Sequence, residues 1–262
     1  MLCAIGTLIL ISGIILMAVV TFTPSLNQSG ALRGIADMLY ADNEANIWAW
    51  YSTALLAMLA AAFALHAYVQ RNAGGPVGPY LALAAIAAFM SADEAAILHE
   101  KLSNLVKWFP TWGWLALGVP IAAAVGFGAL WLTRTMERYL RRRLIVAGAL
   151  FLLGAVVMEG VAGVLVVRAG SYDAGTQTVP YMVLLAFEEF FELAGVLVAL
   201  WATLTALDME RLADGLLVSP LTAPSEPERH APPVRPMPRI RLEDILGGPA
   251  EDTEATPARR SG

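Results

Sequence analysis

Six apolar stretches, each long enough to cross about 30 Å of hydrocarbon as a helix, constrain this chain more than any other feature. They are Leu2–Phe22, Ile47–Val69, Pro79–Leu98, Trp112–Thr133, Leu144–Val167 and Pro180–Leu207. The breaks between them carry turn chemistry: Asn72-Ala73-Gly74-Gly75-Pro76, Phe109-Pro110, and Ala169-Gly170-Ser171 through Val179-Pro180. None of the runs shows the two-residue alternation of a barrel strand. Charged residues are 15% of the chain and hydrophobic ones 58%, against roughly a quarter charged in a soluble domain, so a soluble shell is missing. The expected fold class is all-α: a polytopic transmembrane bundle of six helices over residues 1–207, with lipid as solvent. The run from Leu2 has no basic residue before it and no convincing small-x-small cleavage site after it, and reads as a retained helix, not a removed signal peptide.

Arginine and lysine set the expected orientation. The connection between the fourth and fifth stretches holds Arg134, Arg138, Arg141, Arg142 and Arg143, and the second connection holds Arg71. The opposite side holds Arg33, Lys101, Lys107 and Arg168, diluted by length and by acids. The positive-inside rule therefore places both termini and the arginine-rich connection in the cytoplasm. Trp48, Trp50, Trp108, Trp112 and Trp114 then fall together at the outer interface, as an aromatic belt. From Asp208 the composition changes: nine of the fifteen prolines lie there among mixed charges. Residues 208–262 read as a disordered, proline-rich cytoplasmic tail. Its segment Arg239–Leu246 is a solvated linker or a docking segment for a cytoplasmic partner or the membrane surface. No basic block suits nucleic acid, and the single cysteine, Cys3, excludes an internal disulfide and a cysteine-based metal site.

The informative residues are acids inside the apolar runs. The third stretch holds Asp93 and Glu94, with His99 and Glu100 at its outer end; the fifth holds Glu159; the sixth holds Glu188, Glu189 and Glu192. An ionised carboxylate in hydrocarbon costs at least about 2.5–3.5 kcal/mol, and no lysine or arginine lies within any stretch to offset it. At 1.5 Å per residue, Asp93, Glu94 and Glu159 lie about 21–22 Å up from the inner side. Glu188 and Glu189 lie about 12–14 Å below the outer surface, or about 17 Å above the inner one across about 30 Å of hydrocarbon. Three helices thus place acids in the outer half of the bilayer. Such groups persist by protonation, by sharing protons or by binding a cation. Glu189-x-x-Glu192 has the spacing of one arm of a carboxylate-bridged metal site, without the histidine of the usual Glu-x-x-His arm. Gly154, Gly160 and Gly163 around Glu159 offer close approach to a neighbouring helix. His66, near the inner end of the second stretch, reads as interfacial, and Phe187, Phe190 and Phe191 as lipid-facing or packing residues.

Two patterns, Glu44-x-Asn46-x-x-x-Trp50-x-Ser52 and Ser91-x-Asp93-Glu94-x4-His99-Glu100, together with Glu188-Glu189-x-x-Glu192, resemble a group of uncharacterised bacterial multi-spanning membrane proteins. The resemblance covers residues 1–207. It implies a multi-pass protein of the bacterial inner membrane, brings no settled activity, substrate or cofactor, and adds Glu44 and Asn46 at the outer rim as site residues. Ala92-Asp93-Glu94-Ala95-Ala96 also parallels Phe187-Glu188-Glu189-Phe190-Phe191, as inverted three-helix halves would.

No phosphate-cradling loop, nucleotide motif or serine–histidine–acid set is present. Three classes of function stay open. One is a metal-dependent membrane enzyme acting from the outer side on a lipid or quinone-like molecule. Its metal set is Asp93, Glu94, His99, Glu100, Glu159, Glu188, Glu189 and Glu192, and this oxygen-rich set favours manganese, iron, magnesium or calcium over zinc. The second is a proton- or metal-ion-coupled transporter; the third is an accessory subunit of a larger membrane complex. Membrane lipid is the expected environment, and a homodimer or larger assembly is compatible with all three.

Overall fold

The computed structural model describes residues 1–27, 30–43, 45–98, 113–212 and 215–220. Its architecture is helical: α1 (Leu2–Phe22), the single turn α2 (Pro24–Asn27), α3 (Gly30–Leu39), α4 (Ile47–Ala73), α5 (Gly78–Ala96), α6 (Gly113–Leu132), α7 (Arg138–Leu152), α8 (Glu159–Ala169), the short α9 (Tyr172–Thr176) and α10 (Val179–Thr205). Three helical segments are long and apolar enough to cross a membrane: α1, α4 and the continuous run Arg138–Ala169. The other three apolar stretches form α5, α6 and α10, of 19, 20 and 27 residues. Two of these, α5 and α10, carry the acids. The outward faces are apolar, with Leu8 70% and Phe127 73% exposed, as a lipid-facing surface would be.

Local chemistry places the helix ends. Asn46 caps α4 by accepting the Ala49 N–H at 2.8 Å, and Gly74 closes it at φ +74°, a left-handed conformation that glycine adopts without penalty. Thr178 caps α10, with Pro180 in the first turn. The end of α5 is less relaxed. Ile97 takes φ +57° and bonds its N–H to the Asp93 carbonyl. A β-branched residue rarely sits there, and the helix stops at Ala96, just past Glu94.

The segment between α1 and α4 is not a simple rim connection. Helix α3 folds back along α1, so that the Leu39 carbonyl lies against Gly13, where no Cβ would fit. Gly13 is nine residues short of the end of α1, about 14 Å along its axis. Met17, Val20, Ala36 and Tyr40 then form one core cluster with Ala162, Val166, Tyr181, Met182 and Leu185. The described backbone between Leu39 and Ile47 is irregular and partly buried, and such backbone needs partners. Asparagines supply them: Asn43 Nδ2 donates to the Asp37 carbonyl, and Asn46 Nδ2 to the carbonyls of Tyr40 and Asn43. Asn46 is therefore a clip within the fold, its amide engaged with backbone on both sides. Replacing it with alanine is expected to cost about 2 kcal/mol, the loss of a cap plus an orphaned carbonyl. Thermal melting in detergent measures this, and a shift of less than about a degree would contradict the assignment.

The run Arg138–Ala169 is helical throughout but not uniform. Leu153–Met158, between α7 and α8, is a π-helical segment. Such wider turns shift the angular position of everything after them and occur disproportionately at functional sites. Here the segment ends immediately before Glu159, giving a mid-span irregularity that the even hydrophobicity of the fifth stretch does not betray.

After α10 the chain turns into an antiparallel hairpin, β1 (Leu207–Leu212) and β2 (Gly215–Pro220), in register from Leu207 opposite Pro220 to Leu212 opposite Gly215. Leu207 and Val218 are buried against Val69. Regular structure thus continues past Asp208, where the sequence reading begins a disordered tail, because two apolar side chains find a site on α4. Residues 221–262 lie outside the described residues.

Candidate functional site

Four segments bring their acids together. The charged groups acting on Glu192 are Glu189, Glu188, Glu94 and Glu159. Those acting on Glu189 are Glu94, Asp42 and Glu159. Those acting on Glu188 are Glu159, Glu189 and Asp42. The cluster therefore draws on the turn before α4, on α5, on the first residue of α8 and on the middle of α10. Among the described residues, every charged group acting on these three glutamates is a carboxylate. Glu94, not Asp93, is the α5 acid that acts on Glu189 and Glu192; Asp93 is also partly buried.

Packing sets the spacing between α10 and the π segment. A Cβ added at Gly154 would stand 2.5 Å from the Glu188 carbonyl, 2.8 Å from Glu192 Cγ and 3.1 Å from the Glu192 amide. Further along α10, a Cβ at Gly195 would meet the Ala147 carbonyl at 2.7 Å and the Phe151 amide at 2.8 Å. The two helices touch backbone to backbone at both points, in the manner of small-residue membrane interfaces. At Gly160 a Cβ would meet nothing within 4 Å, so of these two glycines the expected close approach is made by Gly154.

Neutral donors complete the site. The Trp48 indole Nε1–H donates to Glu189 Oε2 at 2.7 Å, and the Tyr181 hydroxyl donates to Asp42 Oδ1 at 2.7 Å. Trp48 is 3% exposed and faces into the bundle; Trp50, two positions on and 71% exposed, is the one that faces outward. The Tyr40 hydroxyl is buried nearby, without a hydrogen-bond partner among the described residues. Asp42, Trp48 and Tyr181 are site residues that the sequence reading missed. Ser91, from the third-stretch pattern, donates to the Thr53 carbonyl at 2.9 Å and ties α5 to α4.

His66 is buried within the protein. It stacks on Tyr80 with ring centroids 4.9 Å apart, and its Nε2 lies 2.8 Å from the Thr203 carbonyl, which can only accept and so requires the proton on Nε2. It lies about 27 Å from Trp48 along α4, well away from the acids.

Glu44, His99 and Glu100 lie outside the described residues. Among the described residues, no group of three or more His, Cys, Asp or Glu could hold a metal ion. Two features work against one. Glu188 and Glu189 diverge by about 100° around α10, and one oxygen of Glu189 faces an N–H donor instead of a cation.

A family model described as a domain of unknown function (DUF8692) matches residues 2–207. No curated protein and no solved structure matches the chain.

Proposed function

This chain belongs to the DUF8692 family, whose defining domain has no assigned function, and we propose from its own residues that it is a multi-pass membrane protein that takes up and exchanges protons at a carboxylate cluster. The supporting observation is the composition of the cluster: Glu188, Glu189 and Glu192 on α10 each feel neighbouring carboxylates, among them Glu159, Glu94 and, at the edge, Asp42. Several carboxylates at close range in a medium of low polarity do not all stay ionised; protons shared among them relieve the repulsion. The proposed topology has six spans, both termini in the cytoplasm and the acids in the outer half of a bacterial inner membrane. The fold-back of α3 then acts as a re-entrant element, and Asp42 with Tyr181 links the cluster to the outer aqueous side. A proton site of this kind serves a proton-coupled transporter or a proton-handling subunit of a larger complex.

The metal-dependent enzyme, with manganese, iron, magnesium or calcium, is the competing proposal. Infrared spectroscopy of the reconstituted protein separates the two. The carbonyl band of a protonated carboxyl group, shifted in heavy water, is expected near neutral pH and should shrink in Glu192→Gln. A fully ionised cluster, with one divalent ion per chain by elemental analysis, would overturn the proton reading in favour of the metal one.

A further inference from the structure

At the far end of the bundle from the acids, α5 and α6 part to leave a groove of about 390 Å³. Ala82, Leu83 and Ile86 on α5 and Val125, Gly128 and Leu132 on α6 line it. Thr133, at the same end, turns its hydroxyl onto the Ala129 carbonyl at 2.7 Å, so even the polar residue there presents no unmet hydrogen bond. Nothing in this lining would hold a polar ligand; its volume and chemistry suit a hydrocarbon chain.

The mouth of the groove has the opposite character. Trp131, which lines it and is 61% exposed, carries the Arg134 guanidinium 4.3 Å from its ring centroid. Arg141, on α7, reaches across to the Leu130 carbonyl with Nη2 at 3.5 Å, while its Nε is buried without a hydrogen-bond partner among the described residues. Both guanidiniums therefore lie against the last turn of α6. Residues 134–143 hold five arginines and one carboxylate, Glu137. Arg143 is otherwise engaged, between the rings of Tyr139 and Trp201. Guanidinium groups suit phosphate oxygens through paired charge-assisted hydrogen bonds. An apolar groove whose lining residue Trp131 carries one guanidinium, with a second on the neighbouring Leu130 carbonyl, has the chemistry to take a hydrocarbon chain with an anionic head.

We propose that this groove binds one anionic phospholipid, its acyl chain lying between α5 and α6 and its phosphate held by Arg134 and Arg141. The charge complementarity at the mouth selects an anionic headgroup over a zwitterionic one. Each arginine near such a headgroup contributes roughly fivefold to affinity.

Native mass spectrometry of the purified full chain, titrated with phosphatidylglycerol or phosphatidylcholine, tests this. One phosphatidylglycerol per chain is expected to bind at least about tenfold more tightly than phosphatidylcholine. The pair Arg134→Gln and Arg141→Gln should remove that preference, while Arg142→Gln should leave it. Gly128→Leu extends a side chain into the groove from a position where a Cβ meets nothing within 4 Å, so the helix should fold and the lipid be displaced. Gly126→Leu, with equally open space but outside the lining, should bind normally. Equal binding of the two lipids, or undiminished binding in Gly128→Leu, would overturn the proposal.

Discussion

Gly154→Ala is expected to destabilise the protein by about 3 kcal/mol, and Gly154→Val by more, at or beyond the upper end of what overpacking usually costs. The added Cβ would stand 2.5 Å from the Glu188 carbonyl. That atom is helix backbone and cannot rotate away, so α10 must move off the π segment. Movement there also shifts Glu188 and Glu192, which share that contact, so the infrared signature of the cluster should change together with the melting temperature. Gly160→Ala supplies the control. Its Cβ meets nothing, and alanine favours helix over glycine by up to about 1 kcal/mol, so this variant should match the parent or melt slightly higher. Equal behaviour of the two variants would mean that α10 and the π segment do not touch as described.

The contrast between these two glycines shows what the sequence could and could not say. Carboxylates in an apolar run announce themselves, because their desolvation cost is large wherever they point. Glu159, Glu188, Glu189, Glu192 and Glu94 were legible for that reason. Asp42 was not: it sits in Asp42-Asn43-Glu44, a polar turn whose charge needs no explanation until α3 is seen to fold back along α1. Trp48 and Trp50 differ by two positions, about 200° around a helix, and only the packing of α4 against α10 decides which indole meets a carboxylate. The choice between Gly154 and Gly160 likewise depends on the π segment, which leaves no periodic mark. For His66 the depth along α4 was readable, but its burial between Tyr80 and the Thr203 carbonyl was not. The hairpin after Leu207 was hidden by composition, since two buried apolar side chains suffice to order a short stretch that otherwise reads as a proline-rich tail.

Trp48→Phe keeps most of the ring's packing and removes one donor, so its effect isolates the Trp48–Glu189 hydrogen bond. The size of the loss reports the state of Glu189. If Glu189 is ionised, the indole N–H supplies a charge-assisted bond to a buried anion, and its loss should cost at least about 3 kcal/mol. If Glu189 holds a proton, Oε2 is a neutral acceptor and the loss should be nearer about 1 kcal/mol. The proton-sharing proposal expects the smaller figure near neutral pH. Glu189→Gln gives the complementary test. A glutamine oxygen accepts the same indole N–H, and the amide carries no charge to desolvate, so this variant should melt at or above the parent temperature. In a double-mutant cycle, the penalty of Trp48→Phe should then be nearly the same in the parent and in the Glu189→Gln background. A penalty several-fold larger with the natural glutamate, together with a strongly destabilised Glu189→Gln, would show that Glu189 is an anion that its surroundings require, and the proton-sharing account of the cluster would fail.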